Sequence, residues 1–380
     1  MLNANTGFAI GDSSLLLRTT NGGLNWEHIN TGTTPDDFFM GLHFINNETG
    51  WLCGGYMGGF GNSKILKTTN SGFNWSIQYY QTSTYFFNIW FIDENTGFVV
   101  GFDGKFMFTS NGGVNWVDRY VTGVDIWTIQ FLNSNTGFIA GNLGMIRKTT
   151  DGGMSFSLMN SSTQLRIASI FFTDLFNGYA VCDSETVLKT TDGGLNWVSQ
   201  KLGSNIGYES VFFINQNTGY VVGNWFEIPT YKLIKTTNAG INWFTVQQGY
   251  GDPYFDIFFT DENTGWICGY NGLILKTTNG GGTFIKKYSE YNPQSYSLSQ
   301  NYPNPFNSFT RIDFHIPEYT FVTLKIFNSI GQELKTVVCD FLSPDIYSVV
   351  LDLYDLPSGI YFYNLKTGNF SETKKLILIK

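Results

Sequence analysis

The chain has 380 residues, a formal net charge of −8, and more aromatic residues (17%) than charged ones (14%). Without any Lys/Arg-rich stretch, this balance argues against a surface that tracks nucleic-acid phosphates or an anionic membrane. No run of 18 apolar residues occurs, so no membrane-spanning helix is expected.

The chain opens on Met1-Leu2-Asn3-Ala4-Asn5-Thr6-Gly7, which aligns with Phe131-Leu132-Asn133-Ser134-Asn135-Thr136-Gly137 further on. The aromatic strand that precedes this point in later copies is missing, as are the basic and apolar regions of a signal peptide. The expectation is that the natural protein carries a strand and an export leader upstream of Met1.

An octapeptide is then written seven times, at Thr19–Trp26, Thr68–Trp75, Thr109–Trp116, Thr149–Phe156, Thr190–Trp197, Thr236–Trp243 and Thr277–Phe284. An Asn-Thr-Gly (Asn-Gly in one copy) precedes each, ending at Gly7, Gly50, Gly97, Gly137, Gly178, Gly219 and Gly265. Self-similarity at such a period marks stacked supersecondary units.

The third copy shows the unit. Phe86–Phe91 has strand length and composition, and Asp93–Gly97 is a turn. Phe98–Val100 is a second strand, Lys105–Thr109 a third, and a fourth begins at Trp116 after the octapeptide. Gly, Asn and Asp fill the turns where positive φ is needed. Four antiparallel strands per repeat is the recipe for a propeller blade. The predicted fold is all-β: a seven-bladed β-propeller over residues 1–291 whose N-terminal blade lacks its inner strand.

Within the octapeptide, Asn21, Asn70, Asn111, Asp151, Asp192, Asn238 and Asn279 are placed to accept hydrogen bonds from turn amides. The small residue that follows can adopt left-handed φ, and the terminal Trp or Phe folds over the hairpin. Burying one such ring removes ~150–250 Å² from water, an upper bound of roughly 4–6 kcal/mol. Asn replaces Asp in five of the seven copies. An amide keeps the hydrogen bond but would forfeit metal or acid–base chemistry, so these residues are assigned to structure. The octapeptide resembles the Asp-box, or BNR repeat. With the Asn-Thr-Gly included, the whole repeat resembles the propeller family of the photosystem II assembly factors of plants and cyanobacteria. That resemblance implies a fold and a habit of binding proteins, not a role in photosynthesis.

Boxes and Asn-Thr-Gly turns are expected on one face, and ligand contacts on the opposite, more varied one. There the sequence gives long turns at Gly54–Ser63 and Gly223–Tyr231, and crossovers at Thr31–Asp37, Gln78–Tyr85 and Gln247–Tyr254. Tyr56, Tyr80, Tyr85, Trp225, Tyr231, Tyr250 and Tyr254 are the candidates for stacking on a protein or glycan. Blade packing is the competing role for each.

Two enzyme classes share Asp-boxes. Sialidases clamp a carboxylate with three arginines. Arg18 and Arg147 read as third-strand residues standing where other repeats have Lys67, Lys189 or Lys276, and Arg311 lies in the tail. Arg119 and Arg166 remain, too few for a clamp. Xyloglucanase-type glycosidases use two carboxylates roughly 5–10 Å apart. Asp125, Glu209 and Asp256, near inner strands, keep that alternative open. Cys53, Cys182, Cys268 and Cys339 read as free buried thiols, and His28, His43 and His315 are scattered, so neither a metal nor a cofactor is expected.

From Leu298 the text changes, after a short polar linker (292–297) expected to tether two domains loosely. Strands are predicted at Arg311–Ile316, Val322–Phe327, Tyr347–Leu351, Ile360–Leu365 and Lys374–Ile379, giving a small Ig-like β-sandwich over 298–380. Four features carry a resemblance to the type A sorting domain of the type IX secretion system. They are Tyr302-Pro303-Asn304-Pro305-Phe306-Asn307, the Ile326–Gln332 stretch with Gly331, the Ser358-Gly359-Ile360-Tyr361 run, and the terminal segment from Lys374-Lys375. The resemblance implies export, with the secretion machinery as a partner and a secreted or cell-surface location. The reading is therefore a secreted, monomeric, non-catalytic propeller that binds an extracellular protein or glycan. A glycoside hydrolase is the alternative.

Overall fold

The computed structural model describes residues 1–56, 62–203, 205–225, 227–281, 285–287, 293–307, 309–342, 344–353 and 356–380. The chain divides into two compact units, residues 1–227 with 236–243, and residues 228–235 with 244–380.

In the first unit each repeat lays down an antiparallel sheet in chain order. Repeat three has an inner strand Phe86–Phe91, a second strand Gly97–Gly101, a third Phe106–Thr109 and an outer pair Val117–Asp118. Repeats two, four and five follow the same order, starting from inner strands Asp37–Phe44, Ile126–Phe131 and Ile167–Phe172. The first repeat forms a sheet of three strands, Gly7–Ile10, Leu16–Thr19 and Glu27–His28, without an inner strand. The side chain of Met1 lies against Gly7, where later repeats place the last Phe of their inner strand.

The inner strands of repeats two to five, together with Gly207–Phe213 of repeat six, stand side by side, each packed on the next. Second strands are buried along their length and the two-residue outer strands are exposed. Apolar residues therefore lie between sheets: one cluster joins Trp51, Cys53 and Ile65 of repeat two to Phe86, Ile89 and Phe91 of repeat three. The Phe91 ring covers Gly97, where a Cβ would sit 2.5 Å from it. This close approach explains the invariant last letter of the Asn-Thr-Gly.

Each inner strand carries a bulge at one place, between Phe39/Gly41, Phe86/Asn88, Ile126/Thr128, Ile167/Ser169 and Tyr208/Ser210. The extra residues are Met40, Phe87, Trp127, Ala168 and Glu209. Bulges re-aim side chains and bend a strand, and these do so at the same level in successive repeats.

The second unit contains the third and outer strands of repeat six, Thr230–Thr236 and Phe244–Tyr250, which pair with each other. Repeat seven follows with Tyr254–Phe259, Gly265–Gly269, Ile274–Thr277 and Ile285–Lys287. The tail has two sheets that share one core. Ser297–Leu298, Phe309–Ile316 and Asp345–Asp352 form one; Glu333–Leu342, Thr320–Phe327, Gly359–Lys366 and Ser371–Leu378 form the other. Glu333–Leu342, the longest described strand, is absent from the sequence reading because two extra residues in it, Leu334 and Val337, bulge against Thr320–Phe327 and break its alternation.

The loose tether is corrected by the second unit. Ile285, Lys286 and Lys287 pair with Val349, Ser348 and Tyr347, so the outer strand of repeat seven extends a sheet of the tail. Lys276 reaches Asp340 at 3.1 Å, and the Asn279 amide donates to the carbonyls of Thr336 and Val337 at 3.4 and 3.3 Å. An outer strand has one unpaired edge, and the tail uses it. Of the expected linker 292–297, residue 292 lies outside the described residues, as do 288–291 before it.

Candidate functional site

The box side chains close their own turns. In repeat five, Asp192 Oδ1 accepts from the Asn196 amide at 3.0 Å and from Thr190 Oγ1 at 2.8 Å, while Gly194 N donates to Thr190 Oγ1 at 3.0 Å. Asn21, Asn70, Asn111 and Asn238 take the same bond from the residue four positions on, at 2.9–3.0 Å, as does Asp151. The predicted left-handed residues have φ of 59° at Ser71 and 57° at Ala239, and of 67–72° at the five glycines. These bonds favour the ionised form and hold the Asp151 and Asp192 carboxyls down to about 2. Box and Asn-Thr-Gly turns share a face, since Gly112 N donates to Asn95 O at 2.8 Å and Gly152 N to Asn135 O at 2.9 Å. The Asn-Thr-Gly turn has its own cap four residues before the glycine, missed at the sequence level. Asn46 and Asp93 each accept two turn amides at 2.7–2.8 Å.

On the opposite face, second-to-third-strand turns bond to the residues that lead into inner strands. Phe102 N donates to Tyr85 O at 2.9 Å and Asn142 N to Asp125 O at 3.0 Å. Several candidates sit differently than expected. The supposed long turns are mostly strand: Gly50–Tyr56 pairs with Asn62–Thr68, leaving only 57–61, which lie outside the described residues. Gly219–Trp225 likewise runs through Gly223, and Thr230–Thr236 starts before Tyr231. Glycines were read as loop although they continue a hairpin. Tyr80 is exposed on the strand Ser76–Thr82 and Tyr250 on Phe244–Tyr250, so the crossovers there are shorter than predicted. Tyr250 is 83% exposed and Tyr254 only 2%. Tyr254 stacks on Tyr231 at 4.6 Å and is a packing residue. Tyr56 is exposed, and Tyr85 and Trp225 are half-buried.

The bulge residues organise the most elaborate polar cluster on this face. Phe87 stacks on Trp127 at 4.2 Å, 6° from parallel. Trp127 Nε1 donates to Asn142 Oδ1 at 2.9 Å, and Asn142 Nδ2 to Asp125 Oδ2 at 2.9 Å. The Arg166 guanidinium lies 5.4 Å from the Trp127 ring centroid. It donates to Glu209 Oε1 and Oε2 at 2.8 and 3.1 Å, and twice to Asp183 Oδ1 at 3.0 and 3.2 Å. Burial raises the Glu209 carboxyl, Arg166 opposes this, and Asp183 adds to it. Burial works against the Arg166 charge, but Glu209 and Asp183 outweigh it and raise that pKa. The network therefore carries a fixed positive centre already matched by two carboxylates. It leaves Glu209 no oxygen free of Arg166. Glu209 and Asp125 meet one network through Arg166, Trp127 and Asn142.

Arg147 is corrected in register. Lys148, not Arg147, occupies the place of Lys67 and Lys189: Lys148 pairs with Phe138, as Lys67 does with Trp51. These lysines each bond a box carbonyl of the next repeat, Lys67 to Gly112 at 3.1 Å, Lys148 to Gly193 at 2.7 Å and Lys189 to Ala239 at 2.7 Å. Arg18 does so to Ser71 at 3.0 Å. Repeat three has Phe108 there, and Arg119 supplies the link instead, to Gly153 O at 3.2 Å. Of the two arginines left for a sialidase-type clamp, Arg119 is engaged with the next repeat's box and Arg166 with Glu209 and Asp183.

All four cysteines are free. Cys53 and Cys182 are buried as expected, whereas Cys339 is exposed. Among the described residues no group of three or more His, Cys, Asp or Glu could hold a metal ion. Nor is any helix among them long and apolar enough to cross a membrane.

The tail's signature residues meet in space. Phe306 is buried, its amide donates to Ile377 O at 3.0 Å, and Ile379 N donates back to Phe306 O at 2.8 Å. Asn304 takes the Ile377 amide on Oδ1 at 2.9 Å and donates to Lys375 O at 3.3 Å. Gly359 pairs with Leu378 in the terminal hairpin, and Gly331 closes a turn with φ of 81°. Lys374 pairs with Glu372 at 3.0 Å. Tyr302 bridges Arg311 through its backbone while its ring stays outside. The lead-in and terminal segments of the motif are thus one structural element, the former held against the last strand.

Residues 67–170 match the family described as photosynthesis system II assembly factor YCF48, and residues 300–380 match the secretion system C-terminal sorting domain. Among solved structures, "YCF48 bound to D1 peptide" is similar at 18% identity and TM-score 0.59, covering 73% of this chain and 90% of that one. YCF48 from Cyanidioschyzon merolae has the same identity and TM-score, over 73% and 92%. The WD40 propeller domain of Doa1 is similar at 9% identity and TM-score 0.53, over 77% and 91%. No curated protein matches.

The fold is an all-β propeller followed by a sorting tail, which defines an exported propeller protein. More narrowly, the repeats over 67–170 match the YCF48 model and the tail matches the type IX sorting domain, which implies the secretion machinery as partner and the cell surface or the exterior as destination.

Proposed function

We propose that the chain is a monomeric binding protein, a seven-bladed propeller over residues 1–291 whose crossover face takes an extracellular protein or glycan without chemistry of its own. An Ig-like sandwich over 298–380, joined through 292–297, serves its export. The arrangement of Glu209 carries the non-catalytic part. Both its oxygens are held by Arg166, whereas a glycosidase needs one carboxyl free to protonate the leaving oxygen and another free to attack or to activate water. Asp125 is occupied by the Asn142 amide and by the Asp103 N–H at 2.8 Å. Asp256 accepts the Ile257 amide at 2.9 Å. The exposed rings of Tyr56, Tyr80 and Tyr250 suit stacking on a ligand. A similar propeller has been seen with a peptide bound, which agrees with a binding role for this fold.

Glycan and protein arrays run beside polysaccharide hydrolysis assays on the full chain test this. Binding without released reducing ends is expected. Turnover that disappears in Glu209→Gln or Asp256→Asn would restore the hydrolase reading.

A further inference from the structure

The third-strand position two residues before the closing Thr is apolar in six repeats: Leu17, Leu66, Met107, Leu188, Ile234 and Leu275. In repeat four it is Arg147, which pairs with Ile139 on one side and Leu158 on the other. A cation has replaced a packing residue. Arg147 Nε is buried without a hydrogen-bond partner, and a buried guanidinium N–H left unmatched is costly unless something complements it.

Arg147 lines an open groove of about 810 Å³ between the crossovers that enter and leave repeat four. One wall is apolar, with Leu143 and Leu158 exposed by 63% and 64%. The other runs Asn160 to Gln164, where five consecutive residues carry hydroxyls or amides. None of the lining residues is Asp or Glu, although the chain as a whole is acidic. Among the described residues that line it, Arg147 is the charged one; Asp125 and Arg166 line the adjoining hollow, which shares Val124, Leu143 and Gln164 with it.

We propose that this groove binds an acidic saccharide, with Arg147 forking onto a carboxylate or sulfate oxygen pair. A guanidinium matches that planar oxyanion geometry two bonds at a time. Ser161, Ser162 and Thr163 already bond to neighbouring groups of the chain, so the exposed Gln164 amide, which can both donate and accept, is the group on that wall suited to a sugar hydroxyl, and the aliphatic wall suits the C–H face of a pyranose. An extended peptide fits less well, because the strand bordering the groove, Ser157–Leu158, has only two residues for main-chain pairing. The inference rests on the binding reading above and specifies one ligand class for it.

Calorimetric titration of the full chain tests it, using hexagalacturonate, its methyl ester, a sulfated galactan tetramer and a Glu-rich hexapeptide as probes. At least one acidic saccharide is expected to bind and the ester to fail. Arg147→Leu should weaken binding by about tenfold or more with an unchanged melting temperature, since leucine is what Leu17, Leu66 and Leu188 already are. Arg147→Lys should keep part of the affinity. Uronate and sulfate arms separate the two oxyanion sources. The proposal is overturned if neither saccharide binds, if Arg147→Leu binds as well as the wild type, or if only the peptide binds. An array on Arg147→Leu distinguishes the two levels: other ligands retained there leave the general binding role standing, whatever becomes of the saccharide.

Discussion

Trp51 lies flat on Phe91 of the next repeat, ring centroids 3.5 Å apart and 7° from parallel, while Trp116 meets Phe91 edge-on at 90°. The same joint recurs as Phe8 on Phe44, Phe98 on Phe131, Phe138 on Phe172 and Tyr179 on Phe213, at 3.9–4.7 Å. One ring from a second strand, one from the following inner strand and one from that repeat's box therefore fasten neighbouring sheets at Phe44, Phe91, Phe172 and Phe213, whereas in repeat four the box ring of Phe156 meets Phe106 of the repeat before it. Repeats are the grammar of the sequence, but the joint between them is the unit of stability.

Phe91→Ala removes the middle ring of one joint. We expect a loss of about 3–5 kcal/mol in urea unfolding, against less than about 0.5 kcal/mol for Val198→Ala on an exposed outer strand. Equal effects would mean that the joint is not what holds the sheets.

Lys189 supplies the polar half of the next joint through its bond to Ala239 O. Tyr179 OH reaches the same carbonyl at 2.9 Å. Lys189→Met keeps the aliphatic stem and removes the donor, so about 1–2 kcal/mol should be lost. Adding Tyr179→Phe should cost more than the two single changes together, because the carbonyl then loses both donors. Strict additivity in the double-mutant cycle would contradict the shared role.

His43 gives a pH dependence. Its ring packs on Trp90 at 4.5 Å, and its Nδ1 accepts the Phe91 amide at 3.2 Å, which requires the neutral form. Burial lowers its pKa from 6.5 to about 4. A folded-state pKa below the unfolded one means stability that is full above pH 6.5 and falls as pH drops towards 4. The ring keeps some solvent contact, so about 1–3 kcal/mol is expected over that interval. Unfolding of His43→Gln should lose this slope; an unchanged slope would place the titration elsewhere.

In the tail, Phe306 is buried and Tyr302 is 79% exposed. Phe306→Ala should therefore lower both stability and export. Tyr302→Ala should leave the melting temperature unchanged while reducing secretion in a type IX-competent host, as expected of a residue that the machinery reads directly. Normal export of Tyr302→Ala would remove it from the recognition surface.

Strand order, box chemistry and tail motifs were legible because each rests on local spacing: glycine at a positive φ, an acceptor four residues from its donor, an alternating run. The candidate site was less so. Phe87, Trp127 and Glu209 come together because each sits at a bulge, and a bulge interrupts the alternation from which strands are read. Arg166 shares a network with them through contacts 43 residues apart in sequence, which no local pattern announces. Gly54 and Gly223 looked like loop because glycine marks turns more often than it continues a strand. Arg147 was misread by one position beside Lys148, and only the pairing of Lys148 with Phe138 separates a linking lysine from a cation in an apolar slot.

The most direct test of the account is a single experiment on the full chain with a panel of extracellular polysaccharides and proteins, recording binding and reducing-end release together while amide exchange maps the contact. The account predicts a bound ligand, no release, and protection on crossover-face segments, such as those around Tyr80, Thr122–Asp125 or Asn160–Arg166, rather than on the boxes. Release of sugar ends that vanishes in Glu209→Gln, or protection on the box face instead, would contradict it.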